Sequence, residues 1–78
     1  MITLDNYNQF SYNNRKALEQ EGEYSCYCCL KYGTTLDIEE WVDEGKTALC
    51  GHCGVDSVVL GKQSLELLKQ IHKRAFES

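Results

Sequence analysis

The sequence predicts a small α+β domain, zinc-ribbon-like, with one helix before and one helix after a metal-binding centre. Three observations predict it: a length of 78 residues, two cysteine pairs with C-x-x-C spacing, and short β-favouring segments beside those pairs. A chain this short buries so little apolar surface that its conformational entropy nearly cancels the gain. A bound metal ion can supply the missing folding energy. We therefore expect a single zinc-binding domain over residues 1–78.

The N-terminal segment, residues 5–21, is predicted to form a helix. Asp5 is a suitable N-cap, with Thr3 as the alternative. Gly22 can take the left-handed conformation that ends a helix. Apolar side chains then recur at spacings of three and four residues, as an amphipathic helix requires: Tyr7, Phe10, Ala17 and Leu18.

The central segment, residues 24–60, is predicted to contain two zinc knuckles joined by a short helix over about 36–44. β-favouring tyrosines surround the first cysteine pair. Acidic residues near the start of the short helix are expected to stabilise it, because that end of the helix dipole is positive. Gly45 is expected to end this helix. The apolar positions of this helix have i, i+3, i+4 spacing: Ile38, Trp41 and Val42.

Short strands are predicted at 47–49 and 57–60, on either side of the second cysteine pair. A final helix is predicted over 64–76, with Ser64 as its N-cap. Leu65, Leu68, His72 and Phe76 share one face of this helix. On such a face His72 is expected to bond a backbone carbonyl, and catalysis is the alternative.

Four of the five cysteines form the predicted metal site. The spacing C-x-x-C lets one tight turn aim two sulfurs at one ion, and the intervening segment, residues 30–49, has nearly the length typical of zinc sites with two such pairs. Four thiolates are a common ligand set for structural zinc. We therefore predict one structural Zn²⁺ with these ligands: Cys26, Cys29, Cys50 and Cys53.

Cys28 and His52 are the other candidates inside the knuckles. Cys28 is next to Cys29, and adjacent residues of an extended segment point to opposite sides, so Cys28 is expected to face away as a half-buried spare thiol. The alternatives are a redox-active or a ligating Cys28. His52 is expected to face solvent, with ligation as the alternative. A treble clef is the alternative fold, and it requires a helix that begins at Cys53.

The charge distribution disfavours a nucleic-acid-binding function. The formal net charge is −4; residues 19–44 contribute −7 and residues 61–78 contribute +2. Nucleic-acid binders normally carry a basic stripe. No apolar stretch is long enough to span a membrane, and residues 1–5 lack the pattern of a signal peptide. We expect a cytoplasmic protein with reduced thiols.

The chain contains the motifs C-x-x-C-L, I-E-E-W-V-D-E-G-K-T-A-L-C and C-G-x-D-S-V between Cys26 and Val59. In these motifs it resembles a family of small uncharacterised bacterial and phage cytoplasmic proteins with a four-cysteine, zinc-ribbon-like module. The usual form of that family has a proline where this chain has Gly51. The resemblance implies zinc binding and a cytoplasmic setting, and it implies no reaction.

A non-enzymatic function is expected, because a closed site of four cysteines leaves no position for a reactive water. The first hypothesis is an adaptor or inhibitor that binds another protein, such as a basic nucleic-acid-handling enzyme. The alternatives are weak nucleic-acid binding through Lys62, Lys69, Lys73 and Arg74, and redox sensing through Cys28. A homodimer through the face of Leu65, Leu68 and Phe76 is a further alternative. The candidate partner-binding residues are Tyr27, Tyr32, Glu39, Glu40, Asp43 and Glu44.

Overall fold

The computed structural model describes residues 2–77, so Met1 and Ser78, the two ends of the predicted domain, lie outside the described residues. The predicted α+β class is confirmed, because the helices lie toward the two ends of this range and the strands between them form antiparallel sheets. None of the helices within it is long and apolar enough to cross a membrane. In chain order the elements are α1 (Tyr7–Phe10), α2 (Arg15–Glu21), β1 (Glu23–Cys26), β2 (Tyr32–Thr34), a 3₁₀ turn (Thr35–Asp37), β3 (Trp41–Val42), β4 (Thr47–Ala48), β5 (Val58–Leu60) and α3 (Leu65–Phe76).

The larger sheet places the two cysteine pairs side by side. Its antiparallel strands have the order β2-β1-β5, so that β1 is hydrogen-bonded on both edges. The register sets Cys26, the last residue of β1, opposite Val58, the first residue of β5. Since β5 follows the second cysteine pair, the sheet brings the end of that pair next to the start of the first.

Both faces of the larger sheet are buried, and each face belongs to its own apolar cluster. Tyr24, Cys26 and Val58 share one face, where Leu18 of α2 packs on them. Val59 lies on the other face, which α3 covers with two fully buried side chains: Leu68 and Ile71. Neighbouring residues of a strand point to opposite faces, so β1 is enclosed on both sides and holds Cys26 rigidly.

The predicted continuous helix over 5–21 is wrong, because the chain bends between α1 and α2. Asn13 has the left-handed φ of 53°. Asn14, which is 3% exposed, donates from Nδ2 to the carbonyls of Phe10 (2.9 Å) and Val58 (3.0 Å). Its Oδ1 accepts a hydrogen bond from the N–H of Ala48 at 3.1 Å. Asparagine tolerates left-handed backbone and competes for backbone partners, and here these contacts outweigh helix continuity.

The predicted end of that helix is confirmed. Gly22 has φ of 82° and its N–H donates to the carbonyl of Leu18, which is a left-handed C-cap.

The predicted helix over 36–44 is also wrong. Thr34 and Asp37 form a capping box, but the helix stops after the single 3₁₀ turn. The chain then forms the β3–β4 hairpin, in which Trp41 is paired with Ala48. Aromatic and β-branched side chains favour a strand, and the guanidinium of Arg15 stacks on the Trp41 ring at 4.6 Å. The hairpin turn has three consecutive residues with positive φ: Asp43, Glu44 and Gly45.

In the C-terminal half of the chain, the observed elements agree better with those predicted from the sequence. β4, β5 and α3 lie at the predicted positions, and the hydroxyl of Ser64 caps α3 by accepting from the N–H of Leu67 at 3.2 Å. No helix begins at Cys53, since the chain turns at Gly54 (φ 74°) and continues to β5. This overturns the treble-clef alternative. Leu68 is fully buried, so of the proposed dimer face only Leu65 and Phe76 are exposed, each by about half.

Candidate metal centre

The structure brings the four predicted ligand sulfurs together. The Sγ atoms of these cysteines all lie within 4.8 Å of one another. Cys26 and Cys53 are 3.6 Å apart, and Cys29 and Cys50 are 3.8 Å apart. A zinc–sulfur bond of about 2.3 Å in a tetrahedral site separates neighbouring sulfurs by about 3.8 Å. A disulfide would require about 2.05 Å. The four thiols therefore fit a single metal ion.

The first knuckle is a tight turn between β1 and β2. The N–H of Cys26 donates to the carbonyl of Lys31, and the N–H of Leu30 donates back to the carbonyl of Cys26, both at 3.0 Å. This turn aims the N–H groups of Cys28 and Cys29 at the Cys26 sulfur, at 3.3 and 3.4 Å. Such bonds stabilise a thiolate.

The second knuckle repeats the first with the same residue offsets. The N–H of Cys50 donates to the carbonyl of Val55 at 3.0 Å, and the N–H of Gly54 donates to the carbonyl of Cys50 at 2.9 Å. The N–H of His52 donates to the Cys50 sulfur at 3.3 Å. Gly54 corresponds to Leu30, and both have left-handed backbone, at φ of 74° and 63°. The two C-x-x-C motifs therefore fold alike, although only the second has a glycine at the turn.

Two side chains outside the ligand set touch the sulfurs. Ser57, which is 1% exposed, has its hydroxyl 3.0 Å from the Cys26 sulfur. The hydroxyl of Tyr24 lies 3.9 Å from the Cys50 sulfur and accepts from the N–H of Gly51 at 3.2 Å. Neither residue is part of the site that the cysteine spacing predicts. The available signal was the position of Ser57 four residues after the second pair.

The protein environment shifts the pKa values of Cys26, Cys29 and Cys50 in different directions. Burial raises the pKa of Cys26, although the Ser57 hydroxyl and two backbone N–H groups oppose that shift. Burial also raises the pKa of Cys29. Burial acts on Cys50 in the same direction, but hydrogen bonds from the backbone N–H groups of Cys53 and His52, together with those from the thiols of Cys26 and Cys29, outweigh it and lower the pKa of Cys50 to about 7. Cys50 is therefore more readily deprotonated than Cys26 or Cys29.

Cys28 lies outside the group of four and is half-buried, as predicted. Burial raises the pKa of the Cys28 thiol, and the nearby sulfur of Cys53 contributes in the same direction. Residues 27–31 form a turn, so the alternation of an extended strand, on which the predicted direction of Cys28 was based, does not apply there.

The two histidines behave as expected. His52 is exposed and is not among the four clustered ligands, and its Nε2 lies 3.3 Å from the carbonyl oxygen of Tyr32 on the first knuckle. His72 places Nδ1 2.9 Å from the carbonyl oxygen of Tyr27, which confirms the predicted carbonyl partner.

Of the candidate partner-binding residues, the tyrosines are occupied within the fold. Tyr27 is only 7% exposed and packs edge-on against Tyr7 at 5.2 Å, so its predicted place on a binding surface is corrected. Tyr32 is half-buried, and its hydroxyl donates to the carbonyl of Gln63 at 2.7 Å. Tyrosine is enriched at interfaces, but a sequence does not distinguish such a tyrosine from one in a core.

The four acidic candidates are exposed, and we call them the acidic surface: Glu39, Glu40, Asp43 and Glu44. None of them forms a salt bridge with another residue in the range 2–77. Glu39 and Glu40 line a cleft of about 270 Å³ together with Cys50 and Gly51. The acidic surface therefore begins directly beside the second knuckle.

Comparison of the chain with protein-family models, with curated proteins and with solved structures found no match. The function is therefore inferred from the chemistry of the cysteine centre and of the surface around it.

Proposed function

We propose that this chain is a zinc-stabilised, non-enzymatic binding protein that uses its acidic surface to hold a basic protein partner. The observation that carries the proposal is the four-sulfur cluster with unpaired carboxylates beside it. The family resemblance and a reducing, cytoplasmic setting are part of the same proposal.

The sulfur geometry supports zinc as the resident ion. The sulfur–sulfur distances of 3.6 and 3.8 Å match a tetrahedron of thiolates around zinc. Four thiolate ligands close the coordination shell, so the ion would contribute folding energy and would leave no position for a reactive water. This supports a structural role.

The charge of the loaded site supports a basic partner. Four thiolates and one Zn²⁺ together carry two negative charges, which takes the formal net charge from −4 to about −6. The centre lies next to Glu39 and Glu40, so its negative potential adds to theirs. Complementary potentials steer association and select partners.

Elemental analysis of the purified chain tests the metal. We expect one zinc per chain, and the Cys28→Ser variant should keep it, because Cys28 is outside the group of four. A chain purified without any stoichiometric metal would contradict the proposal.

Comparative affinity capture tests the acidic surface. One variant neutralises it with Glu39→Gln, Glu40→Gln, Asp43→Asn and Glu44→Gln. A control variant makes the same charge change at exposed positions elsewhere: Glu21→Gln, Glu23→Gln, Asp56→Asn and Glu66→Gln. From a lysate of the encoding organism, the unmodified chain and the control should enrich the same basic protein, and the first variant should lose it. Equal capture by both variants, or no enrichment at all, would refute the role of this surface.

The nucleic-acid alternative is disfavoured by the contacts of the basic residues. Lys62 lies over the ring of Tyr32 at 5.1 Å. Arg74 donates to the carbonyl of Leu4 at 2.9 Å and pairs with Asp5 at 3.5 Å. Of the four residues predicted to contact phosphates, Lys62 and Arg74 are thus engaged within the fold, which leaves Lys69 and Lys73, and the net charge of −4 opposes binding to a polyanion. A gel shift at low salt with micromolar protein should therefore show no complex.

A further inference from the structure

We propose that Leu36 is the apolar anchor of the acidic surface. It enters an apolar pocket of the basic protein partner, and lysine or arginine side chains around that pocket pair with the carboxylates of Glu39 and Glu40. This inference rests on the proposed function and adds to it the apolar contact that charges alone do not supply. The juxtaposition that carries it is an almost fully exposed leucine, on a rigid turn, beside unpaired carboxylates.

Leu36 is the most exposed large apolar side chain within residues 2–77. It is 94% exposed, against 64% for Tyr12 and about half for Leu65 and Phe76. Neither of the two apolar clusters includes Leu36, whereas Ile38, two residues later, is buried in one of them. The side chain of Leu36 therefore contributes no packing to either cluster.

The turn that carries Leu36 is held firmly on the fold. The N–H of Thr35 donates to the carbonyl of Gly22 at 3.0 Å, and the hydroxyl of Thr35 donates to the carbonyl of Leu18 at 2.7 Å. The capping box closes the same turn. A side chain presented on a preorganised turn binds without the entropy cost of ordering a loop.

This turn lies against the second knuckle, where the acidic surface begins. The carbonyl oxygen of Asp37 is so close to Gly51 that a Cβ at that position would collide with it. Gly51 lines the cleft that Glu39 and Glu40 also line. Glu39 follows Leu36 by three residues, so their Cα atoms are at most about 11 Å apart. The leucine and the unpaired carboxylates are therefore within reach of one partner surface.

The charges favour a basic protein over a second copy of the chain or a lipid surface. In a two-fold symmetric dimer the same patch meets itself, so burial of Leu36 would bring the carboxylates of both copies together. Anionic lipid surfaces repel the same carboxylates. A pocket surrounded by lysine or arginine pairs with them instead, and the leucine then supplies the desolvated centre that interfaces have inside a polar rim.

The test uses the full zinc-loaded chain and the basic protein that the affinity capture enriches, identified by mass spectrometry and then purified. Titration calorimetry measures the dissociation constant for the unmodified chain, for Leu36→Ser and for the control Leu65→Ser on α3. We expect Leu36→Ser to weaken binding at least about tenfold, because burial of a leucine is worth that factor or more. Leu65→Ser should bind like the unmodified chain.

Salt dependence separates the anchor from the charges. Leu36→Ser should keep the salt dependence of the unmodified chain, whereas neutralisation of the acidic surface should flatten it. Urea denaturation should give the same stability for Leu36→Ser and the unmodified chain, which shows that weaker binding is not a loss of fold.

Equal affinity of Leu36→Ser and the unmodified chain would overturn this inference and leave the role of the acidic surface standing. A dimer in analytical ultracentrifugation that Leu36→Ser abolishes would also overturn it, because a second copy would then cover the leucine. If the capture enriches no basic protein, the proposed function itself is refuted, and the anchor with it.

Discussion

At the scale of single residues, the side chains that contact the ligand sulfurs explain the properties of the site as much as the ligands themselves do. Ser57 is almost fully buried, and its hydroxyl makes its contact with the Cys26 sulfur. Partners of metal ligands orient them and adjust their charge. Ser57 is therefore a positioning residue, and the hydroxyl stabilises negative charge on a thiolate that burial disfavours.

The Ser57→Ala variant should bind zinc roughly tenfold more weakly, as is typical for loss of a group that contacts a metal ligand. Competition with a chelator of known affinity measures the change. Ser64→Ala is the matched control, because it removes the cap of α3 far from the sulfurs and should lower stability without a comparable loss of zinc affinity. Equal affinity in both variants would show that the Ser57 hydroxyl does not act on the site.

Zinc affinity should also rise steeply with pH. Burial raises the pKa of Cys26 and of Cys29, so both thiols keep their protons to a higher pH than an ordinary thiol, whereas the pKa of Cys50 is lowered to about 7. Zinc must displace these protons. The logarithm of the affinity should therefore increase by at least about two per pH unit between roughly pH 6 and 8, and metal-dependent stability should be lost as the pH falls. Chelator competition at several pH values measures the slope, and a slope below one would contradict the assignment.

At the scale of elements, the side chain of one asparagine fixes the bend between α1 and α2 to the strands β4 and β5. Asn14 bonds the carbonyls of Phe10 and Val58 and the N–H of Ala48. β4 and β5 are not neighbours in either sheet, so this side chain replaces the hydrogen bonds that a strand pair would make. The N–H of Arg15 adds a bond to the carbonyl of Lys46 at 2.9 Å.

The Asn14→Ala variant should lose about 2–4 kcal/mol of unfolding free energy, because three backbone groups lose their partner and two of these bonds are buried. Asn14→Asp should lose more, since its carboxylate faces the carbonyls of Phe10 and Val58 in place of the amide donor. Urea denaturation of the zinc-loaded chains measures both. Asn8→Ala, at an exposed position of α1, is the control and should change little. A loss of less than 0.5 kcal/mol in Asn14→Ala, about the size of an ordinary surface substitution, would contradict this role.

These elements also show what could be predicted from the sequence. Local signals were sufficient where a segment sets its own structure: the cysteine spacing, the cap at Ser64, the glycine at position 22 and the run that forms β5. They failed where distant residues decide. Asn14 is held by Val58 and Ala48, which lie more than 30 residues away in the sequence. These contacts leave no local pattern, so the broken helix could not be foreseen.

At the scale of the whole molecule, the cysteine cluster joins the larger sheet to the segment that follows the β3–β4 hairpin. The larger sheet supplies Cys26, and the segment after the β3–β4 hairpin supplies Cys50 and Cys53. Cys26 and Cys50 are also members of the same apolar cluster. Sulfur ligation and burial thus act on the same residues. Without the ion, the two knuckles would be linked by burial of these thiols and by the contacts of Gly51 with Tyr24 and of His52 with Tyr32.

Removal of zinc should therefore unfold the chain as a unit. Trp41 packs on the cluster that contains Cys26 and Cys50, so its fluorescence reports that side of the sheet. α3 packs on the opposite cluster, and a helix of 12 residues is marginal without packing. As a chelator is added, tryptophan fluorescence and far-ultraviolet circular dichroism should change together, since a small domain unfolds in one transition. If the helical signal persisted after the fluorescence had changed, the α3 cluster would be stable alone, and the metal would support only one face of the sheet.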